Sequence, residues 1–171
     1  FSDFARMPKP ILKDYDLILI LKENIKLVNE LDRTIEIELK TQFKENFLNC
    51  DKEQLSRVFF NLIKNSIESI QQKSEKVPSF DKKILIEISN NNDHIKINIV
   101  DNGIGFDNLK NNIKDITNPY FTTKKNGTGL GLSIVNKIIH DHNGKIEFLK
   151  IKDGAKIEIN FNLNGSRNIN S

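Results

Sequence analysis

A single cysteine, no apolar run approaching the length of a membrane span and no excess of one charge bound this sequence before any motif is considered. Cys50 alone can close no intrachain disulfide and supply no zinc site, so a reducing compartment, by default the cytosol, is the simpler setting. A helical span needs roughly 18 consecutive apolar residues, and residues 1–6 carry no signal-type apolar core. The 26 Lys and Arg stand against 23 Asp and Glu, interspersed for a formal net charge of +3. Scattered lysines of this kind are not the clustered basic face with stacking aromatics of a nucleic-acid binder. An apolar share of 37% against 29% charged is that of a soluble globular chain, and 171 residues suffice for one core. There is no internal repeat. The chain opens on Phe1 rather than Met, in what reads as the end of a helix, and a fragment of a longer protein is expected, its missing part holding any membrane anchor.

Periodicity supplies the elements. Residues 1–7 form a short amphipathic stub closed by Pro8 and Pro10, which favour an extended connector. Over residues 14–31, Leu17, Leu21, Ile25, Val28 and Leu31 recur at helical spacing, with Asp14 or Asp16 available as cap. Ile35, Ile37 and Leu39 alternate as a half-buried strand, and residues 47–50 form a second short apolar piece. Asp51 followed by Gln54 predicts a capping box that opens a long helix through Ile70, with Leu55, Phe59, Leu62, Ile63 and Ile67 on its apolar side. Residues 71–81 read as a loop. Ile84, Ile86 and Ile88, then Ile95, Ile97 and Ile99, predict a hairpin with one buried face. Residues 102–126 carry little periodicity, and a loop of that length is uncommon unless functional. Leu109 to Asn126 are expected to be its least ordered part. A helix over residues 128–140 ends at Asn143-Gly144, two strands (145–150 and 155–161) meet at Asp153-Gly154, and the tail from 164 is polar. The pattern implies an α+β layer: a mixed, mostly antiparallel sheet with helices on one face.

Four stretches carry chemistry. Asn61, Asn65 and Glu68 share one stripe of the long helix; the amides either satisfy backbone and water or offer oxygens to a hydrated Mg2+. Asp101 continues the phase of Ile95, Ile97 and Ile99, so its carboxylate should point to the apolar side. Gly103 and Gly105 follow it, and a buried acceptor beside a glycine opening suits an amino-bearing ring such as adenine, although an Asp capping a turn would look alike. Gly127-Thr128-Gly129-Leu130-Gly131-Leu132 opens a helix, where backbone amides and the helix dipole favour phosphate, or else forms a hinge. It fits neither a Gly-x-x-x-x-Gly-Lys-[Ser/Thr] loop nor a Gly-x-Gly-x-x-Gly fingerprint. Between these lie Phe121, Thr122, Lys124 and Lys125, a loop anchor and cations for phosphate, or a solvated charge run.

In that order the four stretches resemble the catalytic domain of the sensor histidine kinases, in the wider GHKL family of ATPases that includes gyrase, Hsp90 and MutL. NLIKNSIES (61–69) is similar to the family's N box, DNGIGF (101–106) to its G1 box, PYFTTK (119–124) to its F box and GTGLGLSIV (127–135) to its G2 box. The resemblance spans residues 14–161 and implies a two-layer α/β sandwich of the Bergerat type, with ATP between helices under a long lid. It divides the chain into a linker at the end of a dimerisation helix (1–13), an ATP-binding domain (14–163) and a tail (164–171). It implies that Asn65 and Asn61 serve Mg2+ and phosphates, that Asp101 accepts from the adenine amine, and that Gly127, Gly129 and Gly131 shape the phosphate end. Lys124 joins the two Asn as a candidate catalytic group. Thr122, Glu68, Gly103, Gly105, Phe121, Thr128, Leu130 and Leu132 are candidate nucleotide contacts.

In the gyrase and Hsp90 branches the first N-box position is a Glu that activates water; here it is Asn61, which cannot act as a base. Phosphotransfer to a His on a separate dimerisation domain is therefore expected ahead of hydrolysis. The alternatives are a hydrolase acting as a conformational clamp, with Glu68 as substitute base, and a degenerate nucleotide-binding module. No acceptor motif is present: His94 lies in a strand, and His140 and His142 are expected as surface imidazoles at a helix end. FARMPKP with Asp16-Leu17 is similar to the exit from the dimerisation helix in NtrY-type kinases, which implies a homodimer, an inner-membrane sensor and an NtrX-like response regulator as partner, with no nucleic acid or membrane contact by this segment.

Overall fold

A computed structural model of the chain describes residues 7–106 and 131–163. Their elements are β1 (Lys13–Asp16), α1 (Leu17–Asn29), β2 (Glu36–Thr41), β3 (Phe47–Cys50), α2 (Lys52–Lys76), β4 (Lys83–Asn90), β5 (His94–Asp101), α3 (Gly131–Asp141), β6 (Gly144–Ile151) and β7 (Gly154–Asn162). Five strands form one sheet in the order β2-β4-β5-β7-β6, antiparallel except for the parallel pair β2/β4. Parallel neighbours need a crossover, and α2 supplies it, which lays that helix over the sheet.

Alternation decides which face the helices cover. Ile84, Ile86 and Ile88, Ile95, Ile97 and Ile99, and Ile157, Ile159 and Phe161 are buried, while Glu87, Ser89 and Lys96 between them are exposed. The register brings Ile86 opposite Ile99 and Ile97 opposite Ile159, so the apolar residues form rows across three strands. Against them pack Leu55, Phe59, Leu62, Ile63 and Ile67 of α2 and Val135, Ile138 and Ile139 of α3. Each such side chain contributes about 1.5–3 kcal/mol of burial. The expected two-layer arrangement is the one observed.

Several boundaries depart from the sequence expectation. Residues 13–16 form a strand rather than the start of a helix, because they pair antiparallel with β3, a partner more than thirty residues away. Asp16 then caps α1, accepting the Ile18 N–H at 3.0 Å and the Asn46 N–H at 2.9 Å. The long helix does not end at Ile70 but runs to Lys76, so most of the expected 71–81 loop is helical; it stops where Pro78 forces Val77 to extended backbone (φ −118°, ψ 98°). The capping box forms only by half. Asp51 Oδ1 accepts the Gln54 N–H at 3.0 Å, but the Gln54 side chain donates to the Pro8 carbonyl at 3.0 Å instead of turning back. The Asp51 N–H donates to His142 Nε2 at 3.0 Å, and Asp51 Oδ2 accepts from the Ile11 N–H at 2.9 Å. His142 is consequently buried, contrary to the expected surface imidazole, with Nδ1 held 2.7 Å from the Ile138 carbonyl. His140 is exposed as expected. The expected stub (1–6), the lid segment 107–126, the helix start at 128–130 and the tail from 164 lie outside the described residues.

Candidate nucleotide site

The middle of α2 and the end of β5, the central strand, meet at one end of the sheet. Asn61, Asn65 and Glu68 are half-buried on α2, and the same stripe continues at four-residue intervals to Ser69 and Lys73. Those last two residues hold the turn that leaves β5. The Ile104 N–H donates to Ser69 Oγ at 3.0 Å, and Lys73 Nζ donates to the Asn102 carbonyl at 2.9 Å.

Asp101, the last residue of β5, lies opposite Ile84 of β4 and Ala155 of β7 and is only 4% exposed. Its Oδ1 accepts the Gly103 N–H at 2.9 Å. Burial pushes the carboxyl above the usual carboxylate range; the Gly103 N–H, the Ser66 hydroxyl and the Lys73 charge work against that rise. Ser66 stands close enough to favour the charged form without reaching hydrogen-bond geometry. A carboxylate offers about four acceptor positions, and one backbone N–H from the described residues leaves most of that capacity for a donor from outside.

The two glycines after Asp101 are there for different reasons. A Cβ on Gly103 would run into Ser69, colliding with its Oγ and lying 2.7 Å from its carbonyl carbon, so glycine lets the turn lie directly on α2. Gly105 has φ +71°, a left-handed conformation that side-chain-bearing residues disfavour, and a Cβ there would sit 2.5 Å from the Gly154 carbonyl oxygen. Phe106 then meets Phe148 of β6 edge to face, with centroids 6.1 Å apart. Gly131 opens α3 with nothing among the described residues within 4 Å of where its Cβ would stand; Leu132 beside it is half-buried.

Of the candidate residues, α2 carries Asn61, Asn65 and Glu68, the end of β5 and its turn carry Asp101, Gly103 and Gly105, and α3, which packs on α2, carries Gly131 and Leu132. Phe121, Thr122, Lys124, Gly127, Thr128, Gly129 and Leu130 lie outside the described residues. The sequence did not mark Ser66, Ser69, Lys73 or Asn102. For Ser69 and Lys73 the signal was present, four and eight residues past Asn65, but placing the helix end at Ile70 removed Lys73 from the stripe.

Residues 50–165 match the family of histidine kinase-, DNA gyrase B- and HSP90-like ATPases, and the chain belongs to that family. Within it the chain is similar to an NtrY-like sensor histidine kinase of Rickettsia bellii, 32% identical over 164 residues that cover 95% of this chain and 26% of that protein. It is equally similar to the nitrogen regulation protein NtrY of Azorhizobium caulinodans, 32% identical over 165 residues, 95% of this chain and 21% of that one. The chain thus spans about a quarter of the length of these relatives. Its fold matches the catalytic domain of the histidine kinase ThkA in a nucleotide-free form, with a TM-score of 0.75 at 26% identity, over 89% of this chain and 95% of that one.

Proposed function

We propose that this chain is the ATP-binding catalytic domain of a sensor histidine kinase, which holds Mg-ATP while the γ-phosphoryl group passes to a His on a dimerisation domain outside the sequence, for relay to a response regulator. The observation that carries this is Asp101: a buried carboxylate with spare acceptor capacity at a glycine-built turn, which suits the exocyclic amine of adenine. Asn61 and Asn65 offer amide oxygens to a hydrated Mg2+ and amide N–H groups to phosphate. Among the described residues no three His, Cys, Asp or Glu side chains converge, and a hydrated Mg2+ needs only one or two protein groups beside the phosphates of its substrate. Glu68, Gly103, Gly105 and Leu132 line the base and ribose side. Phe121 anchors the loop, Thr122 and Lys124 with Gly127, Thr128, Gly129, Leu130 and Gly131 serve the phosphate end, and Lys124 acts as a mobile charge. ATP, when bound, supplies the transferable phosphoryl group.

Asn61 in place of a carboxylate leaves attacking water without a base, which supports transfer to a His over hydrolysis. Positioning and charge neutralisation then supply most of the catalysis. The likeness to NtrY-like sensor histidine kinases supports a sensor kinase of that type; the finer parts of the proposal are a homodimer formed through a dimerisation domain, attachment to the cytoplasmic face of the inner membrane, and an NtrX-like regulator as partner. Among the described residues no helix is long and apolar enough to cross a membrane.

Calorimetric titration with a non-hydrolysable ATP analogue and Mg2+ tests the site. Micromolar-range binding, about −8 kcal/mol, is expected of the chain and is lost in the Asp101→Asn variant, with little ATP turnover by the chain alone. Binding that ignores both Asp101→Asn and Asn65→Ala would remove the assignment.

A further inference from the structure

Lys73 lies about two and three helical turns beyond Asn65 and Asn61, the positions assigned to Mg2+ and phosphate on α2, and two contacts hold its ammonium. Its Nζ donates to the Asn102 carbonyl at 2.9 Å and lies 4.5 Å from the centroid of the Phe80 ring. Asn102 is itself fixed from the other side: Oδ1 accepts the Lys83 N–H at 3.0 Å and Nδ2 donates to the Asp81 carbonyl at 2.5 Å. Four residues earlier on α2, Ser69 takes the Ile104 N–H. The turn that carries Asp101 is thereby pinned to α2 at two points, one of them a half-buried ammonium held over an aromatic face.

We propose that Lys73 is a positioning residue for base selection: by holding the Asn102 carbonyl it fixes the Asp101 carboxylate as an acceptor for an exocyclic amine and against a ring carbonyl at the same place. The chemistry follows from what each base edge presents. Adenine offers N–H donors where hypoxanthine offers a carbonyl oxygen. An ionised Asp101 accepts from the first and repels the second; a neutral carboxyl, turned a little, can donate to the second. Burial favours the neutral form, and Lys73 is the cation that opposes it. A site that leaves a buried polar group unpaired against the wrong ligand discriminates strongly, and that discrimination is lost when the group can change its role. This inference rests on the nucleotide assignment above and adds to it a residue that touches no part of the nucleotide.

The test measures dissociation constants of the 171-residue chain for ADP and for inosine diphosphate, each with Mg2+, in wild type, Lys73→Met, Lys73→Arg and Phe80→Leu. Wild type is expected to favour ADP. Lys73→Met should weaken ADP about tenfold while inosine diphosphate changes less than about twofold, so the preference collapses. Lys73→Arg, which keeps the charge and a donor, should restore most of the preference. Phe80→Leu, which leaves Lys73 in place and removes only the ring beneath it, should move the ratio the same way by a smaller factor and covers the case in which Lys73→Met does not fold. Equal weakening of both nucleotides, or no change in either, would show that Lys73 only supports the fold and overturn the inference while the site itself stands. Wild-type binding of neither nucleotide, or ADP binding indifferent to Asp101→Asn, would remove the nucleotide assignment and this inference together.

Discussion

Two buried aspartates occupy equivalent-looking places, each next to the end of a strand, and they are used in opposite ways. Asp16, 9% exposed at the end of β1, has one oxygen that accepts two backbone N–H groups, from Ile18 and from Asn46, and the Leu17 N–H donates to the Asn46 carbonyl at 2.8 Å. Two of its acceptor positions are committed to starting α1 and closing the chain against residue 46. Asp101, more deeply buried at the end of β5, accepts a single backbone N–H from the described residues and is held above its usual range by burial. The first carboxylate is bound into the fold by two backbone N–H groups; the second takes only one from the described residues. Cys50 shows that burial alone is not the distinction. Its thiol is pushed up to about 12 by burial, with the Asp51 and Asp14 charges adding, yet it packs in the core with no glycine opening beside it.

The comparison can be broken most directly at Asp101. Asp101→Asn should weaken Mg-nucleotide binding about 100-fold, near 2.7 kcal/mol by calorimetry, because the amide presents a donor where the amine needs an acceptor. Asp16→Ala should do the reverse, lowering unfolding free energy in urea by about 2 kcal/mol through the lost cap and the unsatisfied Asn46 N–H, with nucleotide affinity kept within about twofold. If Asp16→Ala lost binding as well, the division of roles would fail.

Asp101→Asn sharpens the comparison from the other direction, since it should stabilise the empty protein. A carboxyl whose folded pKa lies above its unfolded value gives its most favourable contribution below the unfolded pKa, and that contribution is lost as pH rises through the folded pKa. The variant should therefore melt about 2–4 °C above wild type at pH 8, the change that roughly 1 kcal/mol produces in a chain of this length, and the gap should close at pH 4. The smallest effect is expected at Cys50: a thiol-specific disulfide reagent at pH 8 should leave the folded chain essentially unlabelled over hours and label it fully in denaturant. Rapid labelling of the folded chain would place Cys50 outside the core.

The parts of the fold legible in the sequence were those with local, periodic causes. The rows of Ile on β4 and β5 announced both the hairpin and the inward aim of Asp101, because a two-residue period fixes a face without knowledge of the partner. β1 was misjudged because Asp14 and Asp16 are good helix starters locally, and only the distant pairing with residues 47–50 makes residues 13–16 a strand. The last six residues of α2 project past the core and carry no apolar period, so their helicity was invisible and Lys73 with it; Pro78 was the stop signal that mattered. His142 was misplaced for a third reason. Its partner, the Asp51 N–H, is 91 positions away, and no local pattern can reveal that a ring nitrogen will be needed there.

Asp51 is a pinned joint in the mechanical sense. Its two carboxylate oxygens and its N–H fasten three members, the segment through Ile11, the first turn of α2 and the end of α3. Through it the Ile11 backbone is linked to the helix that carries Asn61 and Asn65 and, by way of His142, to the helix that opens at Gly131. The helix of the two amides and the helix of the glycine opening are accordingly tied to the linker, and to each other, through one residue.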